Sequence, residues 1–335
     1  KMAEICDKYK VNTIVNLAAL LSAVAEAKPQ LAYDINMNGL FNILEIAREK
    51  NISVFTPSSI AAFGPSTPPD NTPQDTIQRP TTMYGVTKVA GELLCDYYYK
   101  RFGVDTRGVR FPGLISYKAL PGGGTTDYAV HIYYEALKAK KYASFIDKGT
   151  MMDMMYMPDA IKAIHDLMEA NPDKLVHRNA FNVTAMSFDP EILAGEIRKH
   201  IPEFELSYDV DPVKQAIANS WPNSLDDSCA REEWNWKPDY TMESMTKDML
   251  EKLSEKLGKF YFQMEKEYSG PCDVLNIKNN QLISSTRRFL NEFPIFVRDN
   301  TAIYIIRKIL KLKQKTMDSI VFSRNAFGLP SNERG

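Results

Sequence analysis

Cysteine and histidine are scarce in this sequence, and their spacing matches neither a metal site nor a disulfide framework. The 335 residues include four cysteines and four histidines, and no C-x-x-C or H-E-x-x-H pattern occurs. We therefore expect no bound metal, and free thiols that indicate the reducing environment of the cytoplasm. The cysteines are Cys6, Cys95, Cys229 and Cys272.

Long apolar runs and a strong net charge are also lacking. No apolar run approaches the roughly 18–20 residues of a membrane span, so we expect no membrane association. Residues 1–10 have the pattern of an amphipathic helix, without the apolar stretch of a signal peptide. The formal net charge is -1, which gives no electrostatic reason to expect a nucleic-acid partner.

Strand-like and helix-like segments alternate over residues 11–111. Apolar, β-branched runs predict three buried strands, and the apolar periodicity between them predicts two helices. The alternation predicts an α/β fold with a parallel sheet and right-handed crossovers. The predicted strands cover 11–19, 52–59 and 106–111, and the predicted helices cover 29–50 and 83–102.

Small and polar residues follow the ends of these predicted strands. The carboxyl ends of parallel strands meet at one edge of a sheet, and α/β sheets bind their ligands there. The small side chains either let a ligand approach the backbone or simply allow a helix to pack. The residues are Ala18, Ala19, Ser22, Ser58, Ser59 and Pro112.

Tyr84 and Lys88 are four residues apart at the start of the second predicted helix. Residues with this spacing lie one turn apart on the same helix face. The Lys88 ammonium would then favour the phenolate and lower the pKa of Tyr84, making it a general base near neutral pH. Two ordinary helix-surface residues would show the same spacing.

Asn36 lies inside the first predicted helix, where asparagine has a poor propensity. Its presence predicts a buried side-chain hydrogen bond or a bound water, unless Asn36 is simply exposed on the surface.

A glycine-rich segment, Gly122–Gly124, precedes a further predicted helix that begins at Tyr128. Thr125 or Asp127 can cap this helix. Free N–H groups at a helix N-terminus also bind anions such as a carboxylate or a phosphate. The loop is therefore either an anion site or a structural cap.

Several short motifs together resemble the extended short-chain dehydrogenase/reductase family. Each motif is weak alone, but their order and spacing fit together. Over about residues 2–257 the sequence is most similar to the epimerase-like L-threonine 3-dehydrogenase branch of that family. The general motifs are Asn16–Ala19, Asn36–Gly39, Ser58–Gly64, Tyr84–Lys88 and Arg110–Gly113, and those of the branch are Leu20–Ala23, Thr56–Ile60, Pro121–Ala129 and Ser220–Ser228.

The resemblance implies NAD-dependent oxidation of L-threonine at its 3-hydroxyl to 2-amino-3-oxobutyrate. It also implies a catalytic role for five residues. Tyr84 would be the acid/base and Lys88 its pKa-lowering, ribose-holding partner, and Asn36 would belong to a proton relay. Ser59 would be the catalytic hydroxyl, with Ser58 as a second candidate for that role.

The same resemblance implies the binding residues and a partner. The expected partner is a second copy of the chain, because the family is usually dimeric through paired helices such as the one carrying Tyr84. The cofactor would be contacted by Leu17, Ala18, Ala19, Tyr84, Lys88, Pro112 and Leu114, and the small-molecule substrate by Ser22, Ser59, Tyr84, Thr125 and Thr126.

The sequence departs from the family pattern at its start. The family begins with a strand and a G-x-x-G-x-x-G loop, and no such loop precedes Lys1. We expect that roughly 50–65 residues, about two strand–helix units, are absent, and that these would bind the pyrophosphate and adenosine.

This reading predicts a Rossmann-type, doubly wound parallel sheet with a small α/β substrate-binding domain. Residues 1–115 would be the remainder of the NAD-binding domain and 116–258 mainly the substrate-binding part, with some segments returning to the sheet. Residues 259–335 would be a C-terminal extension of unknown role. Within it, Thr301–Lys315 has the pattern of a basic amphipathic helix, suited to a membrane surface, a partner or plain solvent exposure.

Two alternatives stay open at this point. A nucleotide-sugar epimerase or dehydratase of the same family would need room and basic groups for a diphosphate, whereas the short loop at 121–127 favours a small substrate. A non-catalytic, truncated product would have an unpaired sheet edge beside Val11–Leu17, where the first strand is absent.

Overall fold

The computed structural model describes residues 1–268. Residues 1–254 form one unit, and a second unit begins at Glu255. The predicted basic helix at Thr301–Lys315 lies outside the described residues. None of the helices in the described part has the length and apolar composition needed to cross a bilayer.

Parallel strand pairs dominate the described sheets, as the alternating sequence pattern predicts. One sheet has the order β1-β2-β4 and another the order β3-β5-β9, and every pair in both is parallel. In a third sheet, β6 pairs in parallel with β8, which pairs antiparallel with β10. A separate two-stranded sheet pairs β7 in parallel with β11. The strands are β1 (Thr13–Val15), β2 (Ser53–Phe55), β3 (Ser58–Ser59), β4 (Thr106–Arg107), β5 (Val109–Phe111), β6 (Gly113–Ile115), β7 (Lys141–Ser144), β8 (Met152–Tyr156), β9 (Phe181–Asn182), β10 (Met186–Phe188) and β11 (Glu205–Tyr208).

Helices connect most of these strands. The predicted helix over residues 29–50 is present, but it contains a π-helical turn at Asp34–Asn38 between α3 and α4. The helices are α1 (Met2–Tyr9), α2 (Ser22–Ala27), α3 (Pro29–Tyr33), α4 (Gly39–Lys50), α5 (Met83–Phe102), α6 (Tyr128–Ala139), α7 (Met157–Glu169), α8 (Pro190–Arg198), α9 (Pro212–Ala218), α10 (Ser228–Trp234) and α11 (Met242–Tyr268).

The predicted strands are shorter than the apolar runs that indicated them. The run at 52–59 forms two strands, β2 and β3, separated at Thr56 and Pro57. The run at 106–111 is likewise interrupted at Gly108, where a Cβ would lie 2.4 Å from the Thr56 carbonyl oxygen. The two interruptions therefore face each other, and they bring Ser58 and Ser59 into register with Arg110 and Phe111.

Apolar burial holds the helices onto these strands. Leu40, Ile43, Leu44 and Ala47 form the buried stripe of α4 and pack with Val54 of β2. Removing most of one such side chain, as in a leucine-to-alanine change, typically costs about 2–5 kcal/mol. A larger cluster in residues 115–253 packs α6 and α8 against β6 and β8. The α/β fold class predicted from the sequence is confirmed.

Candidate active site

Tyr84 occupies the first turn of α5, beside the carboxyl end of β3. Thr82 caps the helix, because its hydroxyl oxygen accepts a hydrogen bond from Gly85 N at 3.1 Å. A Cβ on Gly85 would lie 2.2 Å from the Ala61 carbonyl oxygen. Glycine therefore lets the start of α5 pack directly on the turn that follows Ser59, and this contact brings Tyr84 next to β3.

Ser59 faces the Tyr84 phenol. Its own hydroxyl oxygen accepts a hydrogen bond from Ala61 N at 3.2 Å and so caps the short 3-10 turn at Ile60–Ala62. Burial raises the pKa of Tyr84 to about 12, and a hydrogen bond with Ser59 opposes part of this rise. The phenol is therefore protonated at neutral pH in this structure.

Lys88 lies close to Tyr84, but the pKa of the phenol is raised and not lowered as the sequence predicted. Its Nζ is 5.3 Å from the centroid of the Tyr84 ring and donates a hydrogen bond to the Pro57 carbonyl oxygen at 2.6 Å. Burial lowers the pKa of Lys88 itself to about 8, against an opposing effect of Glu92. The prediction of a lowered Tyr84 pKa was wrong, because burial is the largest influence on the phenol and disfavours its charged form.

Ser58 points away from Tyr84 into a buried polar network. Its hydroxyl donates to the Glu92 carboxylate, which also forms a salt bridge with Arg110 at 2.9 Å. Gln78 donates to the second carboxylate oxygen at 2.8 Å. The structure thus separates the two serines, with Ser59 beside Tyr84 and Ser58 held by Glu92.

Asn36 fixes the loop that follows β1. Its amide oxygen accepts from Leu20 N at 2.8 Å, and its amide nitrogen donates to the Leu20 carbonyl at 3.2 Å. The same nitrogen donates to the Thr87 hydroxyl at 3.1 Å, and that hydroxyl donates to the Tyr84 carbonyl at 2.8 Å. The predicted side-chain hydrogen bond of Asn36 is confirmed, and it joins the β1 loop to the turn of α5 that carries Tyr84.

A cleft lies between this loop and α5. Leu17, Ala18 and Ala19 line one side, and Thr87 and Lys88 line the other. Ala18 and Leu17 are exposed, so the backbone of the loop is open to a ligand. Ser58 is also in the lining of this cleft. The predicted site residues that are not in the lining are Tyr84, Ser59, Pro112, Leu114, Ser22, Thr125 and Thr126.

In the glycine-rich loop, the side chain of Asp127 occupies backbone N–H groups that an anionic ligand could otherwise bind. The Asp127 carboxylate accepts hydrogen bonds from Gly123 N at 2.6 Å and from Gly124 N at 2.7 Å. Gly123 has a φ of +96°, a conformation that favours glycine. Asp127 therefore occupies the N–H groups of Gly123 and Gly124, which are not free donors for a ligand, whereas α6 itself has no side-chain cap.

Thr125 and Thr126 differ in their surroundings. Thr125 is buried, whereas Thr126 lies over Gly113, the first residue of β6. A Cβ on Gly113 would lie 2.7 Å from the Thr126 methyl carbon. Because Gly113 has no side chain, Thr126 can pack against the first residue of β6. In the sequence, Gly113 lies between Pro112 and Leu114, the two predicted cofactor residues.

The sequence pattern did not identify Glu92 or Thr87 as site residues. Glu92 extends the spacing of Tyr84 and Lys88 by one further turn, and an acidic residue on the buried face of a helix could have indicated it. No such signal exists for Thr87, because its role depends on a hydrogen bond from Asn36, which is distant in the sequence.

A parallel α/β sheet with a serine at the end of one strand, and with a tyrosine and a lysine on the helix beside it, defines a Rossmann-type enzyme of the NAD-dependent class. The chain belongs to the NAD dependent epimerase/dehydratase family, which matches residues 1–184.

Similar proteins include both an uncharacterised relative and solved structures. An uncharacterized epimerase/dehydratase of Staphylococcus aureus is 61% identical over 256 residues, which cover 76% of this chain and 80% of the relative. The structure of L-threonine dehydrogenase from Clostridium difficile has a TM-score of 0.76 and 69% identity, and covers 76% of this chain and 80% of that one. L-threonine dehydrogenase from Phytophthora infestans gives a TM-score of 0.75 and 54% identity, with 76% and 82% covered.

The cleft residues fit the nicotinamide and ribose side of the cofactor NAD. Lys88 contributes an ammonium donor at the cleft wall, and Ala18 leaves the loop backbone accessible. An ammonium donor suits ribose hydroxyls, which accept hydrogen bonds. The cleft therefore has both a polar donor and exposed loop residues, which a cofactor of this kind can use.

Proposed function

We propose that this protein oxidises L-threonine at its 3-hydroxyl to 2-amino-3-oxobutyrate, with NAD as the hydride acceptor. The observation that carries the proposal is the placement of Ser59 opposite the Tyr84 phenol, with Lys88 one turn further along α5. A 3-hydroxyl between Tyr84 and Ser59 would contact both an acid/base and a hydrogen-bond donor. The similarity to solved L-threonine dehydrogenases supports the choice of substrate.

Tyr84 acts in this proposal as the general base. As the phenolate, it takes the proton of the 3-hydroxyl, while the hydrogen on C3 leaves as hydride. NAD, when bound, supplies the acceptor for that hydride. Ser59 donates a hydrogen bond to the substrate oxygen as it becomes a carbonyl, which stabilises the developing charge.

Lys88 and Asn36 position these groups. The Lys88 ammonium, held by the Pro57 carbonyl, supports the phenolate and can contact the ribose. The resemblance predicts Asn36 in a proton relay. Its hydrogen bonds with Leu20 and Thr87 support a second role for Asn36, which is to hold the loop at Leu17–Ala19 in place for the cofactor.

The remaining predicted binding residues lie outside the lining of the cleft. We assign Pro112 and Leu114 to the cofactor, and Ser22, Thr125 and Thr126 to the amino and carboxylate groups of threonine. Because Asp127 occupies the N–H groups of the glycine loop, the substrate carboxylate would be bound by the threonine hydroxyls. Ser58 is a less favourable catalytic candidate, since its hydroxyl is bound to Glu92.

Formation of NADH from L-threonine tests the proposal. The sequence has no G-x-x-G-x-x-G loop, so the assay uses an extended chain in which a strand–helix segment with this loop is placed before Lys1. We expect threonine-dependent NADH formation by the extended chain. Micromolar NAD binding by the chain without the extension would argue against a non-catalytic product.

A nucleotide-sugar substrate is tested in the same assay. The extended chain is given UDP-glucose or UDP-galactose in place of threonine, and sugar epimerisation is followed. Turnover of a UDP-sugar without NADH formation from threonine would contradict the proposed substrate and support the epimerase alternative.

A homodimer in the cytoplasm completes the proposal. Val86, Leu93 and Tyr97 lie along one side of α5 and are 48%, 62% and 53% exposed, and such a stripe suits a second copy of the helix. Cys6, Cys95 and Cys229 are free thiols, as expected for a reducing compartment. Light scattering of the wild type and of Leu93→Glu measures the oligomeric state, and a monomeric wild type would contradict the dimer.

We also propose the domain assignment of residues 1–115 to the cofactor and 116–258 mainly to the substrate. The return of β9 to the sheet beside β5 supports the expectation that some later segments rejoin the first part.

A further inference from the structure

A cluster of three metal-ligating side chains lies outside the proposed active site. It consists of His177, Cys229 and Glu233, and their ligand atoms are all within 4.8 Å of one another. All three residues are partly buried, so the cluster is sheltered but still reachable from solvent. A nitrogen, a sulfur and an oxygen at this separation form the kind of ligand set that divalent transition metals prefer.

Two of the ligands come from α10. Cys229 and Glu233 are four residues apart, so they lie on the same face of this helix one turn apart. The helix alone therefore places the Cys229 sulfur and the Glu233 carboxylate side by side.

The third ligand, His177, is held in place by Glu233. One oxygen of the Glu233 carboxylate accepts from Val176 N at 2.6 Å and from His177 N at 3.1 Å. The other oxygen contacts Nδ1 of the His177 ring. Both the backbone and the ring of His177 are thus fixed relative to α10.

The outer groups also suit a cation. Oδ2 of Asp75 lies 3.4 Å from Nε2 of His177, the ring nitrogen that faces away from Glu233. A carboxylate on the second nitrogen is the common arrangement around a metal-binding histidine, because it orients the ring and increases its basicity.

We propose that His177, Cys229 and Glu233 bind one divalent transition-metal ion of the Zn²⁺ class. The ligands are Nδ1 of His177, the Cys229 thiolate and the Glu233 oxygen that now contacts the His177 ring, with water in a fourth position. The ion replaces the contact between His177 and Glu233, and the thiol loses its proton to solvent on binding. Sulfur and nitrogen ligands favour Zn²⁺ over Mg²⁺ or Ca²⁺.

Such an ion would join α10 to the loop at 175–180. That loop is linked to α5, because Asn179 Nδ2 donates to the Glu92 carbonyl at 3.0 Å. Arg178 forms an ion pair with Asp105 at 2.6 Å, just before β4. The ion therefore braces a segment that supports the back of the helix carrying Tyr84 and Lys88, and its expected effect is on stability.

Motif spacing did not predict this site, and the proposal revises our expectation of no bound metal. Motif spacing identifies ligands that are close in the chain, and here only Cys229 and Glu233 are close. His177 joins them through the fold.

The test uses the full chain, made metal-free with a chelator and then titrated with CoCl₂ and with ZnCl₂. We expect one Co²⁺ per chain and a thiolate-to-cobalt charge-transfer absorption. This absorption should be lost in Cys229→Ser. Zinc affinity should fall at least about tenfold in His177→Gln, and about tenfold in Asp75→Asn, which removes only the outer carboxylate.

Two matched variants serve as controls. Cys272→Ser removes the cysteine outside the described residues, and His165→Gln removes an exposed histidine that also lies beside a carboxylate, Asp166. Neither change should affect cobalt absorption or zinc affinity. ZnCl₂ should raise the Tm of the wild type and of both controls, but not that of Cys229→Ser.

The proposal is overturned if the wild type gives no charge-transfer absorption, or if that absorption persists in Cys229→Ser. Its loss in Cys272→Ser would identify a different sulfur and would also overturn it. Circular dichroism establishes that each variant is folded. If Cys229→Ser does not fold, His177→Gln decides the question, and unchanged zinc affinity in that variant contradicts the proposal.

Discussion

The start of α5 and the glycine-rich loop at 121–127 were both predicted to bind ligand, but the structure treats them differently. At α5, Tyr84, Lys88 and Ser59 come together as predicted. In the loop, where an anion site was one of two predicted alternatives, the N–H groups of Gly123 and Gly124 donate to the Asp127 carboxylate. The first region is fixed by regular elements, whereas the second is organised by a side chain from within the same loop.

The difference lies in what determines each geometry. A helix fixes the relation of Tyr84 to Lys88 through its period, and a strand end fixes Ser59 through register with Phe111. A loop has no period, so the partners of its N–H groups depend on which acceptor is nearest. Sequence spacing is informative in the first case and leaves two readings open in the second.

The largest expected effect comes from Tyr84→Phe in the extended chain, which removes only the phenolic hydroxyl. We expect kcat for L-threonine to fall by about 10²–10⁴-fold, because general-base catalysis contributes about this much. Steady-state NADH formation measures it. The control is Tyr97→Phe, which makes the same change on the exposed side of α5 and should leave kcat unchanged. A near-normal kcat in Tyr84→Phe would contradict the role of Tyr84 as the general base.

Glu92→Gln tests the rigid support of the α5 region. Glu92 and Arg110 are 6% and 7% exposed, so the change leaves a buried guanidinium without its counter-charge. We expect the free energy of unfolding to fall by about 3–5 kcal/mol, measured by urea denaturation. The control is Glu135→Gln, which breaks a more exposed pair with Lys138 and should cost less than about 1 kcal/mol. Equal losses in both variants would show that the buried network does not hold the region.

Asp127→Ala tests the loop region. Two backbone N–H groups lose a charged acceptor, which should cost about 1–2 kcal/mol of stability. In the extended chain we expect a higher KM for L-threonine with kcat changed less than about threefold, because the loop no longer positions Thr125 and Thr126. Asp147→Ala, in another exposed turn, is the control. A lower KM would instead show that Asp127 competes with the substrate carboxylate.

Thr87→Val has the smallest expected effect and connects the α5 helix to the cofactor loop. It removes the hydroxyl that accepts from Asn36 and donates to the Tyr84 carbonyl. The lost hydrogen bonds should cost about 1 kcal/mol of transition-state stabilisation, which corresponds to a roughly fivefold lower kcat/KM for NAD. Thr87→Ser retains the hydroxyl and should restore most of the activity. Equal losses in the two variants would indicate a packing effect of the methyl group.

Much of the fold and part of the site could be predicted from the sequence. The alternating pattern identified the parallel strands, and the poor helix propensity of Asn36 correctly indicated a side-chain hydrogen bond. The pKa of Tyr84 could not be predicted, because it depends on burial by segments distant in the chain. For the same reason, the partner of Ser58, the role of Thr87 and the position of His177 beside Cys229 became visible only in the folded structure.

The pH dependence of kcat/KM for L-threonine in the extended chain tests the central claim most directly. Tyr84 must lose its proton to act, and its pKa is raised to about 12, so the active phenolate fraction rises with pH. Lys88, with a pKa lowered to about 8, supports the phenolate only while it is protonated. We predict that kcat/KM rises about tenfold per pH unit below about pH 8 and flattens above it, with no such rise in Tyr84→Phe. A profile that is flat between about pH 6 and 8, or the same in both proteins, would contradict the assignment of Tyr84 as the base.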